Sequence, residues 1–160
     1  MDRLKQFAYH KWASQRILEH VQELNEAYYT QAGKSSFPSI RDTIAHVIGV
    51  EKIWLKRMNG AENPAFEKFD VETVEKAMEA FLLLHAEMEL YFASLTEESW
   101  QQEFTYRNMK GLKFCHSRDE MLFTVINHAS YHRGQITSLL RQFDQSGIPL
   151  DYIHFQRKNR

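Results

Sequence analysis

Between Val71 and Leu95 the residues Val71, Val74, Met78, Phe81, His85, Met88, Phe92 and Leu95 follow one another by alternating steps of three and four. That spacing places all eight on one face of an α-helix, whereas a strand would need a period of two. A helix with one such seam must bury it against other helices. Three further stretches carry helical patterns. Asp2 to about Asn25 puts Leu4, Phe7, Ala8, Trp12, Ile17, Leu18, Val21 and Leu24 on an inner side. Ser39, with Asp42 three residues on, predicts the cap of a helix running to Asn59-Gly60, with a wide apolar arc around Ile44, Val47, Ile48, Leu55 and Met58. Ser117, with Glu120 three residues on, predicts the cap of a last helix reaching about Asp144, with Met121, Val125, Ile136, Leu139 and Phe143 on one face.

Four amphipathic helices predict an all-α four-helix bundle, and 160 residues fit one domain over 1–160. The connections are long enough for simple up-down order or for crossovers, and the pattern does not choose. Thr30 to Pro38 and Asn63 to Asp70 read as loops. Phe104 to Phe114 alternates and is broken at Asn108…Gly111, which predicts a short hairpin between helices three and four. Gly147 to Phe155 reads as an extended tail, and Gln156 to Arg160 as a frayed end.

The bulk properties narrow the function. A formal charge of −1 leaves no basic footprint for nucleic acid. The apolar runs are too short to span a bilayer, and the polar start reads as no secretory signal. A lone cysteine, Cys115, suits a reducing cytoplasm and reads as a free structural thiol.

His128 and His132 stand four residues apart in the middle of the last helix's apolar face. Their imidazoles project from adjacent turns in one direction, within reach of a single ion. Two readings stay open on this spacing. The pair is either a set of core histidines with backbone partners or two ligands of a divalent metal, and the Glu of the zinc-protease helix motif is missing. His46 and His85, each alone on an apolar arc, read as core histidines, His85 being the main competitor for a ligand role. His10 and His20 lie among polar neighbours and read as solvated.

Taken together, these residues resemble the DinB-like superfamily. The resemblance rests on the aromatic first helix from Phe7 to Leu18, on Ser39-Ile-Arg-Asp-Thr-Ile-Ala-His46 followed by Glu51-Lys-Ile-Trp54, on Asn127-His-Ala-Ser-Tyr-His-Arg-Gly-Gln135, and on Ile148-Pro-Leu-Asp-Tyr-Ile153. It implies a bundle with a crossover connection and a divalent metal held by His46, His128 and His132, and nitrogen-rich ligation suits zinc or nickel first, with copper and iron(II) open. It also implies a homodimer, and for some relatives a thiol-dependent transferase activity using bacillithiol or mycothiol. The hairpin with Cys115-His116 is where this chain departs most from the family pattern.

Three neutral imidazoles would leave coordination positions open, unlike a closed structural site. Such a site suits a metal-dependent transferase acting with a small thiol, which the metal would convert to thiolate. The alternative is a non-catalytic bundle that binds metal or a small ligand, with a role in stress response. Gln135 and Tyr131 are the candidates to orient a ligand or contact a substrate, each competing with ordinary packing. Arg133 reads as structural and Gly134 as a point of close helix approach. No carboxylate stands in a clear ligand or general-base position.

Overall fold

A computed structural model describes residues 2–158. The elements are α1 (Arg3–Glu23), α2 (Ala27–Thr30), α3 (Ile40–Met58), α4 (Val74–Ala93), α5 (Glu97–Gln101), β1 (Glu103–Arg107), β2 (Lys113–Ser117), α6 (Arg118–Gln142) and α7 (Tyr152–Lys158). Each long helix begins where a side chain takes up an orphan backbone N–H. Asp2, Ser39, Thr73 and Ser117 accept from Leu4, Asp42, Lys76 and Glu120. At Ser117 the Glu120 carboxylate answers the cap's own N–H at 2.8 Å, completing a capping box.

The four long helices form the bundle. Helix α1 packs on α4 and α6, and α3 packs on the same two. Therefore α1 and α3 stand diagonally, as do α4 and α6. Two of the three long connections cross the bundle end rather than joining neighbours, which is the crossover topology. The seam of α4 is core: Val74, Phe81, His85, Met88 and Phe92 are all buried. So are Met121, Val125, Ile136 and Leu139 on α6 and Phe143 at its C-cap. Burying stripes of this kind contributes about 1.5–3 kcal/mol for each large side chain.

The short antiparallel hairpin pairs Glu103 with Ser117 through Arg107 with Lys113. Its end of the bundle is tied by Arg118. The guanidinium donates to the Met58 carbonyl at 3.0 Å, the Ser99 carbonyl at 2.6 Å and Gln102 Oε1 at 2.8 Å, and it lies over the Phe104 ring. One buried cation thus joins the ends of α3, α5 and α6 to β1, and its charge is shared among oxygens aimed at it.

Several expectations are corrected. Helices α2 and α5 were not foreseen, being single turns too short to show a period. The tail is not extended throughout, since Tyr152–Lys158 is helical, with Tyr152 and Phe155 packing near Tyr9. Residues 159 and 160 of the expected frayed end lie outside those described. A Cβ at Gly134 would meet nothing within 4 Å, so that glycine does not mark a close approach. Gly33 does: a Cβ there would stand 2.6 Å from Leu139 on α6. No helix among the described residues is long and apolar enough to cross a membrane.

Replacing Arg118 with Ala is expected to lower unfolding free energy by about 2–4 kcal/mol, as its buried acceptors lose charge-assisted bonds. Urea unfolding followed by circular dichroism measures this.

Candidate metal centre

His46 comes from the second turn of α3, and His128 and His132 come from adjacent turns of α6. The tight α3–α6 contact brings the three rings together. His128 Nε2 stands 3.2 Å from His46 Nε2 and 3.1 Å from His132 Nε2. Two nitrogens held ~2.1 Å from one ion at a tetrahedral angle stand about 3.4 Å apart, so the spacing fits common ligation after small adjustments. His46 and His128 are half-buried and His132 is buried, so the cluster sits at the margin of the core.

A partner on Nδ1 leaves the other nitrogen of His132 facing the cluster. Its Nδ1 donates to Gln135 Oε1 at 2.8 Å, while the Gln135 amide nitrogen donates to Ser36 Oγ at 2.7 Å. A carboxamide oxygen only accepts, so with Gln135 in this orientation the His132 proton is on Nδ1 and the Nε2 lone pair faces the cluster. Gln135 therefore fixes the orientation of the His132 ring. Tyr131 is 62% exposed, and its ring lies edge-on to His132 with centroids 5.1 Å apart. It flanks the site from the solvent side.

The loop before α3 also belongs to the site, which its sequence did not signal. Phe37 packs over the His46 ring at 4.4 Å between centroids and lies near His132. That loop is held down by α6 itself. Gln142 accepts from the Lys34 N–H at 2.8 Å and donates to its carbonyl at 3.0 Å, while Gln135 holds Ser36. Gln135 and Gln142 are seven residues apart, two turns along one helix face.

Burial lowers the pKa of all three rings. For His128 it acts together with the neighbouring His132 and His46 to bring the value down to about 4. His46 and His132 shift in the same direction, in both cases first through burial. The rings are neutral, as metal ligation requires.

A second histidine cluster lies deeper. His10, Glu51 and His85 are all buried. His10 is fully buried rather than solvated, so the polar neighbours in its sequence misled. His85 is buried as expected, with its Nε2 3.1 Å from Glu51 Oε2. Arg133 is structural: its guanidinium donates to Ser14 Oγ at 3.2 Å and Ser130 Oγ at 2.7 Å. Glu51 is the residue the sequence reading missed as a candidate ligand. The signal was there, a carboxylate inside a helix whose apolar arc is unusually wide. Cys115 is exposed rather than structural, and His116 meets the Tyr106 hydroxyl at 3.1 Å.

The DinB family model matches residues 1–159. The chain belongs to the DinB family. Protein DinB of Bacillus subtilis (strain 168) is 28% identical over 156 residues, covering 92% of this chain and 90% of that protein. Among solved structures, a DinB-like protein from Bacillus cereus ATCC 10987 superposes with a TM-score of 0.71 at 17% identity, covering 92% of this chain and 95% of that one. YfiT from Bacillus subtilis superposes at 0.67 with 13% identity, covering 90% and 89%. It is described as a probable metal-dependent hydrolase with an unusual four-helix bundle topology. This DinB-family chain shares the bundle fold of both.

Because the folded rings hold protons less readily than unfolded histidines near 6.5, acid favours the unfolded chain. The stability these neutral rings allow is complete above about pH 6.5 and is lost as pH falls toward about 4. Thermal melts of metal-free protein from pH 8 to 4 should show a flat Tm down to about 6.5 and a decline below it. A flat profile through pH 4 would contradict the burial assigned to these rings.

Proposed function

We propose that this DinB-family protein holds one divalent ion, zinc or nickel, at His46, His128 and His132. We further propose that it uses the ion to transfer a small thiol of the bacillithiol type to an electrophile. The convergence of three Nε2 atoms, with His132 fixed in the ligating tautomer by Gln135, carries the metal reading. An all-nitrogen donor set leaves a position open and suits these ions.

The choice of nucleophile rests on what surrounds the cluster. Among the described residues no carboxylate joins the three histidines, so the donor set itself carries no side-chain base to take a proton from water. A thiol, with a pKa near 8.5, gives up its proton far more easily. When bound, the ion would supply the positive charge that favours thiolate over thiol. The rest falls to the protein. Gln135 holds the His132 ring, Phe37 shields one face of His46 from water, and Tyr131 borders the approach from solvent. In the reaction a carbon–sulfur bond forms, the leaving group departs with its electron pair, and the thiol proton passes to solvent.

A hydrolytic reading is favoured by YfiT, and a non-catalytic, ligand-binding role is the third. Protein purified without a nickel column, loaded with zinc, would be assayed with bacillithiol and an activated aryl halide, and separately with esters and amides. Halide release that depends on thiol and falls at least 100-fold in His132→Ala is the expected result. Ester or amide turnover without thiol transfer would instead support hydrolysis. Metal binding without turnover of either kind would leave the non-catalytic role.

Gln135→Ala should weaken metal affinity about 10–100-fold while the fold persists, the usual cost of losing a group that orients a ligand. Isothermal titration with zinc measures it. An unchanged affinity would remove Gln135 from the site.

A further inference from the structure

The reading above leaves a complete set of donor atoms unused in the centre of the bundle. Glu51 on α3 is fully buried, with one carboxylate oxygen 3.2 Å from His10 Nε2 of α1 and the other 3.1 Å from His85 Nε2 of α4. His10 Nε2 and Glu51 Oε1 face each other yet are not aligned as a hydrogen bond, and neither finds another partner. Two buried polar atoms left so are costly, because each has lost water without a full replacement. The donor atoms of all three residues lie within 4.8 Å of one another. These nitrogen–oxygen separations are a few tenths of an ångström below the ~3.4 Å of ligands sharing an ion at ~2.1 Å, a gap that small adjustments close.

We propose that His10, Glu51 and His85 form a second divalent-metal site, independent of His46, His128 and His132. Two histidines and one glutamate are a donor set that binds zinc and leaves a fourth position for water. The carboxylate offsets part of the ion's charge, which the all-histidine cluster cannot do.

One of the three residues borders a cavity. His85 also lines a cavity of about 220 Å³ between α1 and α4, walled by Leu18, Met78, Phe81 and Leu82 and rimmed by Lys11 and Glu79. His85 thus links the buried carboxylate to a space large enough for water and for a passing ion.

Arg133 is the group that opposes the site. Its guanidinium stands 3.4 Å from His10 Nδ1, a long contact that suits a ring protonated on Nε2. Ligation through Nε2 requires the proton on Nδ1, so this contact is given up on binding. Arg133 keeps its bonds to Ser14 and Ser130.

The test is a zinc titration of metal-free full-length protein prepared without nickel, with bound metal measured by elemental analysis after gel filtration. Wild type should retain two equivalents. His128→Ala should retain one, and so should Glu51→Gln and His85→Gln, with the affinity for the lost equivalent down at least 100-fold. Should Glu51→Gln fail to fold, as circular dichroism would report, His85→Gln carries the comparison. One equivalent in wild type that disappears in His128→Ala would overturn the second site. So would a second equivalent that survives in folded Glu51→Gln and His85→Gln. One equivalent that persists in His128→Ala but is lost in His85→Gln would uphold this site and reject the three-histidine one.

Discussion

A single buried carboxylate sets the layer at which the four long helices meet. Glu51 on α3 faces His10 of α1 and His85 of α4, and His10 in turn meets Arg133 of α6. Each long helix therefore contributes one polar side chain to the centre. A buried anion without such partners would cost several kcal/mol. Burial works against ionisation of Glu51, but the facing histidines outweigh it and hold the carboxyl below its usual range. The helices cannot slide past one another by a turn without stranding a charge, which fixes their register more sharply than apolar packing does.

That register places the outer histidines. His46 and Glu51 are five residues apart on α3, so they point about 140° apart around the helix axis. With Glu51 turned to α1 and α4, His46 is turned to α6, where His128 and His132 wait on adjacent turns. The loop carrying Phe37 is then pinned over His46 by two glutamines of α6. The outer cluster inherits its shape from the inner one.

The two clusters differ in what they can do. The outer one has three neutral nitrogens at the edge of the core. The inner one has a carboxylate, lies beneath aromatic rings of Phe7 and Phe81, and borders a cavity at His85. Accessible nitrogen ligands suit catalysis, while an enclosed mixed set suits an ion that braces the bundle.

The chain's local patterns gave the four long helices, the caps at Ser39 and Ser117 and the hairpin, because helix faces, cap residues and turn glycines are local properties. The spacing of His128 and His132 gave a pair on one face for the same reason. Adding His46 took family resemblance, since no local pattern links residues 82 positions apart. Three things were decided only by packing in three dimensions. His10 is buried because α4 and α6 close over it, although its sequence neighbours are polar. Glu51 and His85 meet because α3 and α4 stand side by side. Phe37 and Ser36 reach the site because α6 holds down a loop that has no period of its own. Contacts between elements depend on how faces fit, and a sequence states each face without saying which one it will meet.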